Sequence, residues 1–170
     1  WPPDPTHTLQ VLRETQERLG WLPEAALGRV AAALGVSIAT VRGVVAFYSF
    51  LYAEPMGEYR VLFSDNVIDR MRGSEDRLRE MCQRLWVEPG KVSEDGLVSV
   101  DRTSSIGMCD HAPALLVNGQ PVGDVDARRA EEICELILAR TPLDRWPREF
   151  FAVEDLVRRS DVLLDDPLQL

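Results

Sequence analysis

Three cysteines and two histidines are the residues of this sequence with the widest chemical reach: Cys82, Cys109, Cys134, His7 and His111. Cys109 lies in the loop Ser104-Ser105-Ile106-Gly107-Met108-Cys109-Asp110-His111-Ala112-Pro113. Beside Asp110 and His111 it could act as a metal ligand or a reactive thiol. One thiol alone cannot build a zinc site or an iron–sulfur cluster. Cys82 and Cys134 fall on the inner faces of expected helices, where a thiol behaves as a small hydrophobe. Spacing places neither histidine in a catalytic pair or triad. Phosphate-loop, dinucleotide, zinc-protease and serine-elbow motifs are all missing.

The elements that would position these residues change character along the chain. Trp1-Pro2-Pro3-Asp4-Pro5 cannot be regular helix and reads as an arm. Asp4 or Thr6 is expected to cap a first helix carrying Leu9, Leu12, Gln16 and Leu19, closed by Gly20. A second helix follows Pro23, carries Ala26, Leu27, Val30, Ala33 and Leu34, and stops at Gly35. Ser37 caps a third, with Ile38, Val41, Val44, Val45, Tyr48 and Tyr52 on a wide apolar face. After Glu54-Pro55-Met56-Gly57 the period becomes extended. Tyr59, Val61 and Phe63 predict a strand, and Gly73-Ser74-Glu75-Asp76 opens a helix with Leu78, Met81, Cys82 and Leu85 inward. Leu97–Val100 is a short strand. Asn118-Gly119, between 114–117 and 120–122, is a hairpin turn. Asp126 caps a last helix. That order suits a small α/β sandwich with helices on a mixed sheet. Residues 141–170 hold three prolines and the aromatics Trp146, Phe150 and Phe151, with too few periodic apolar positions for a core. They are expected to be an extended tail whose stranded aromatics lie on another surface.

Composition narrows the class. The chain has 170 residues and a net charge of −9, with 28 acids against 19 bases, of which Lys91 is the only lysine. An acidic chain without a basic block is a poor binder of free nucleic acid or of an anionic membrane surface. Three cysteines fit a reducing cytoplasm. The second and third helices resemble a DNA-reading helix–turn–helix, but Arg42 is the single charge from Ser37 to Tyr52, so base and phosphate contacts lack donors. The apolar stretch 30–52 is interrupted by Gly35-Val36-Ser37 into pieces too short for a span of ~20 residues. No nucleic acid and no direct membrane insertion are therefore expected.

Several segments resemble one family. Gln16-Glu17-Arg18-Leu19-Gly20-Trp21-Leu22-Pro23-Glu24, Val41-Arg42-Gly43-Val44-Val45-Ala46-Phe47-Tyr48-Ser49-Phe50, Met71-Arg72-Gly73-Ser74, Ile106–Pro113 and Val117-Asn118-Gly119 are similar, in order and spacing, to the 24 kDa subunit of NADH:quinone oxidoreductase. The resemblance runs from about Leu9 to Arg140. It implies an α+β architecture: an N-terminal helical bundle (1–57), a thioredoxin-like α/β domain with a four-stranded mixed sheet (58–140), and an extended linker or docking tail (141–170).

The family's 2Fe–2S cluster is held by Cys-x4-Cys and Cys-x3-Cys, which align here with Ser64 and Asp69, and with Ser105 and Cys109. Serine and aspartate are harder ligands than thiolates. These four positions are thus expected to be a degenerate site that does not bind metal, with no cofactor in this chain. A working electron carrier using Cys109 with His111, Asp69 or a serine, and a DNA-binding regulator, are the alternatives. The partial loss resembles the N-terminal region of the diaphorase large subunit of cytoplasmic NAD-reducing hydrogenases. It implies docking on a flavoprotein part that holds FMN, NAD and a 4Fe–4S cluster, with no catalysis by the isolated chain. The tail, with Val157-Arg158-Arg159-Ser160-Asp161-Val162-Leu163-Leu164, looks like the linker into that domain.

Overall fold

The computed structural model describes residues 4–151. Three helices open the chain: α1 (Thr8–Leu19), α2 (Glu24–Leu34) and α3 (Ile38–Phe47). Gly20 and Gly35 take left-handed backbone at the ends of α1 and α2, and Ser37 accepts a hydrogen bond from the Thr40 amide as the N-cap of α3. Asp4 caps a 3-10 turn, Pro5–His7, and α1 starts only at Thr8, so neither expected cap serves α1 itself. Leu12, Leu22, Leu27, Val30, Leu34, Val41, Val45 and Leu51 make the core of this bundle.

The third helix ends at Phe47, well short of the expected Tyr52. Tertiary hydrogen bonds explain the early stop. The Tyr52 carbonyl accepts from the Leu22 amide (2.7 Å), and the Tyr52 amide donates to Gln16 Oε1 (2.7 Å). Gln16 Nε2 donates to the Phe50 carbonyl (2.8 Å). One glutamine side chain thus holds 50–52 against α1, using backbone groups a longer helix would have consumed.

The sheet has five strands: β1 (Tyr59–Ser64), β2 (Lys91–Val92), β3 (Val98–Thr103), β4 (Leu115–Val117) and β5 (Gln120–Val122), in the order β2-β3-β1-β4-β5. The expected four become five because the two-residue β2 pairs antiparallel on the β3 edge. β1 and β3 are parallel, joined through α4 (Val67–Met71) and α5 (Ser74–Arg84). Their register sets Ser64 opposite Thr103, so the chain leaves both strands at the same end of the sheet. That arrangement positions the site.

Asn118 and Gly119 both have positive φ (49° and 83°), as a two-residue hairpin turn requires. Asn118 Oδ1 also accepts from the Arg60 amide at 2.8 Å, pinning the turn to β1. Gly57 answers a different need. A Cβ there would stand 2.5 Å from the Val98 carbonyl carbon, so only glycine lets the chain pass β3 into β1.

Helices α5 and α6 (Ala127–Leu138) pack together on one face of the sheet. Leu78, Met81 and Cys82 meet Val61, Phe63, Val98, Val100, Ile133 and Ile137 there. The segment after α6 differs from expectation. Trp146 and Phe150 are 3% and 4% exposed and belong to this core, and Phe151 packs against it. They are not stranded: Trp146 stacks on Tyr59, and Phe150 lies against the Arg129 guanidinium in the first turn of α6. Residues 152–170, including the expected linker 157–164, lie outside the described residues.

Candidate functional site

Two loops leave the shared end of β1 and β3. The first begins Ser64-Asp65-Asn66 and turns at once into α4; the second runs 104–113 into β4. α4 is not among the elements expected from the sequence. Asn66 makes it: its side-chain Oδ1 accepts from the amides of Ile68 (2.8 Å) and Asp69 (3.1 Å).

The other end of that side chain lies among all four aligned positions. Asn66 Nδ2 is 3.2 Å from Ser64 Oγ, 2.5 Å from Asp69 Oδ2, 3.4 Å from Ser105 Oγ and 3.5 Å from Cys109 Sγ. Two loops some forty residues apart in sequence therefore present their side chains to one point. Asp69 is fully buried, and its second oxygen accepts the Ala114 amide at 2.8 Å, just past the second loop. Ser105 Oγ also accepts from the Gly107 amide (3.3 Å).

His111 is not part of this group. Its Nδ1 is 3.0 Å from Asp124 Oδ2 and its Nε2 is 3.7 Å from Asp110 Oδ2, and its Cβ lies 2.7 Å from where a Cβ on Gly123 would stand. It braces the second loop against the turn after β5. His7 sits 4.0 Å from Asp4 in the opening turn. Ion pairs brace the first loop and the ends of the strands. Arg70 grips both oxygens of Asp65 (2.6 and 2.7 Å), and its hydrogen bond is the main reason that carboxyl titrates below its ordinary range. Arg102, at the end of β3, grips Glu75 in the first turn of α5 with the same effect.

The three thiols divide as their placement suggests. Cys109 is exposed; Cys82 and Cys134 are buried. Burial pushes Cys82 up to about 11 and Cys134 up to about 12, from an ordinary 9.0. A thiol raised by folding holds its proton longer in the folded chain than in the unfolded one. Its contribution to stability is therefore full below about pH 9 and drains away as pH climbs towards 11–12. At pH 8, with a chelator present, an aromatic disulfide reagent is expected to modify one thiol of the folded chain and three in denaturant. Fast reaction of all three in the folded chain would contradict the burial.

Asn66 is the member of this site that sequence reasoning missed. A signal existed: Asn66-x-x-Asp69 has the spacing of a capping box, a short polar N-cap followed three residues later by an acid. Here the acid bonds the cap's side-chain amide.

The bent pair α2–α3 meets at 118°, within the range of a helix–turn–helix. Its exposed face offers little to DNA, since Arg42 is taken by an ion pair with Glu24. No single helix among the described residues is long and apolar enough to cross a membrane, though this bent pair passes by composition when joined. Val30, Leu34, Val41 and Val45 spend that apolarity in the bundle core.

Residues 2–137 match the family described as thioredoxin-like [2Fe-2S] ferredoxin. A NADH-quinone oxidoreductase subunit of Pseudomonas aeruginosa is 28% identical over 132 residues, 78% of each chain. The corresponding NADH-quinone oxidoreductase subunit of Rhizobium meliloti is 30% identical over 127 residues, covering 75% of this chain and 76% of that one. Among solved structures, an NAD+-reducing [NiFe]-hydrogenase in the air-oxidized state superposes with a TM-score of 0.77 and 30% identity over 88% of this chain. An NAD+-reducing [NiFe]-hydrogenase in the H2-reduced state gives 0.77 and 30% over 91%. This chain spans about a quarter of those hydrogenase chains (26% and 25%). Iron–sulfur clusters of this nuclearity are usually held by four thiolates. One thiol, two hydroxyls and a carboxyl around an amide nitrogen do not match that donor set.

Proposed function

The chain belongs to the thioredoxin-like [2Fe-2S] ferredoxin family, and from that premise we propose that it is a module of an NAD(H)-linked oxidoreductase complex, docked on the flavoprotein part that binds FMN and NAD. Family membership also corrects one expectation. The reading that this chain has no cofactor of its own is overturned, because the family is one of [2Fe-2S] ferredoxins. We propose Ser64, Asp69, Ser105 and Cys109 as the residues standing at its ligand positions.

The observation that carries the proposal is the superposition of nearly the whole described chain on one part of an NAD+-reducing hydrogenase chain. The relatives named as components of NADH-quinone oxidoreductases point the same way. The division into bundle (1–57) and sheet domain (58–140) is supported by two separate cores; the second also takes in Trp146 and Phe150, so a tail at 141–170 has no such support over 141–151. A cytoplasmic location goes with the proposal.

The surface suggests how docking works. Phe47 at the end of α3, and Val67 and Met71 on α4, are 71–81% exposed. All three lie at the site end of the sheet, since Ser49, two residues after Phe47, hydrogen-bonds Thr103 (2.5 Å) at the end of β3. Large apolar side chains held in the open at one end of a molecule mark a contact surface. The test is association with the separately produced FMN- and NAD-binding polypeptide of the same complex. A one-to-one complex is expected, weakened at least ten-fold by Phe47→Asp with Met71→Asp. No association would overturn the proposal, and full-strength association of the double variant would move the docking face elsewhere on the chain.

A further inference from the structure

We infer that the pocket where the helical bundle meets the sheet domain binds a small oxyanion, a phosphate or a short-chain carboxylate, through the guanidinium groups of Arg60 and Arg13. The inference goes beyond the docking proposal and shares no residue with it.

The pocket has a volume of about 220 Å³ and lies between α1, the segment after α3, the start of β1 and the β4–β5 turn. Arg13, Gln16, Glu17, Tyr52, Arg60 and Asn118 are among its walls. That is room for a small ion, since sites for drug-sized ligands run to ~300–1,000 Å³. Contacts within the chain fix the walls. Both ends of the Gln16 side-chain amide are taken, by the Phe50 carbonyl and the Tyr52 amide. Both ends of the Asn118 side chain are taken as well, by the Glu58 carbonyl (3.1 Å) and the Arg60 amide (2.8 Å). These two residues shape the pocket, and the arginines supply its free donors.

Arg60 is held in place without a ligand. It alternates along β1 with Tyr59 and Val61, which enter the core under α5 and α6, so its side chain leaves the sheet on the opposite face. There its guanidinium lies over the Tyr52 ring at 5.4 Å, with Nε 3.5 Å from Asn118 Oδ1. It is half-buried, and among the described residues neither it nor Arg13 forms an ion pair, whereas Arg42, Arg70, Arg84, Arg102 and Arg140 all do. A guanidinium taken partly out of water without a counter-charge carries a desolvation cost that a bound anion offsets. It also offers an oxyanion two parallel N–H donors at once. Arg13 is exposed at the rim, on the same face of α1 as Gln16 and Glu17. Two cations therefore face one acid, and the pocket keeps a positive balance in a chain of net charge −9.

Amide NMR spectra of the full chain test the site, titrated with sodium phosphate or sodium succinate against sodium chloride at constant ionic strength. Saturable shifts are expected at Gly20, Arg60, Asn118 and Gly119, which line the pocket. Saturation by phosphate, by succinate or by both supports the site and identifies the anion class it takes. Arg60→Gln should weaken binding at least ten-fold and Arg13→Gln at least three-fold. Arg60→Lys, which keeps the charge and loses the fork, should fall between wild type and Arg60→Gln. Arg42→Gln, whose partner is Glu24, should bind as wild type. Shifts that stay linear with both acids overturn the site, as does equal saturation of wild type and Arg60→Gln. An Arg13→Gln chain that binds as wild type removes Arg13 from it. Should Arg60→Gln not fold, the exposed Arg13→Gln decides the question alone, and undiminished binding by it then overturns the proposal.

Discussion

Trp146→Ala is expected to destabilise the folded chain by about 3–5 kcal/mol, the usual cost of emptying a large aromatic site in a core. The indole is 3% exposed, stacks on Tyr59 at 6.2 Å and meets Phe150 edge-on at 6.3 Å. Its Nε1 donates to the Thr141 carbonyl at 2.8 Å, and the Tyr59 hydroxyl donates to the same oxygen at 2.8 Å. One carbonyl just past α6 thus ties the first residue of β1 to the segment that follows the last helix. Trp146→Phe keeps most of the apolar volume and loses the N–H donor, so a cost nearer ~1–2 kcal/mol is expected. Urea denaturation of the two variants checks both figures. A loss below about 1 kcal/mol for Trp146→Ala would mean that residues 141–151 rest loosely on the sheet.

The sequence misleads at this segment for a physical reason. Periodicity reports an element's own amphipathic pattern, and 141–151 has none, because its aromatics pack on Tyr59 of β1 and Arg129 of α6. The features that were legible are local. Gly20, Gly35, Ser37, Asp126 and Asn118-Gly119 each act through their own backbone or that of near neighbours, and each is found where its chemistry predicts. The features that were not legible depend on distant partners. The end of α3 is set by Gln16 and Leu22, and the edge strand β2 exists only because β3 leaves an edge to pair with.

The site divides along the same line. Cys109 stands out by its type and loop, and the resemblance aligned Ser64, Asp69 and Ser105 with it. Nothing in composition or spacing says that these side chains meet, because convergence comes from the parallel register of β1 and β3. Asn66 is less visible still: as a residue type it is an ordinary loop asparagine, and only the meeting of the two loops gives its amide a second set of neighbours.

Changing Ser64, Asp69 and Ser105 together to cysteine is expected to give a chain that binds close to one [2Fe–2S] cluster, with Cys109 as the fourth ligand. Four thiolates are the ordinary ligand set for such a cluster, and the four present donor atoms already lie within 3.5 Å of one nitrogen. Single replacements leave the set mixed with harder oxygen donors and should bind iron and sulfide far less completely. The backbone has reasons to keep its shape. Ser64 remains within β1, the Ser64 amide donates to the Ala114 carbonyl (2.9 Å), and the Asp65 amide to the Thr103 carbonyl (2.9 Å). The weak point is Asp69, whose replacement removes the carboxyl oxygen that holds the Ala114 amide. The Asn66 amide is the second obstacle, so adding Asn66→Ser to the triple variant should raise occupancy further. Iron and sulfide content and a reduced-state paramagnetic signal, measured after anaerobic reconstitution beside the wild-type chain, check the result. A folded quadruple variant that gains neither would mean that the loops meet through the Asn66 and Asp69 side chains and separate once those are gone. Loading to one cluster would show instead that the parallel register of β1 and β3 is enough to hold the ligand positions together.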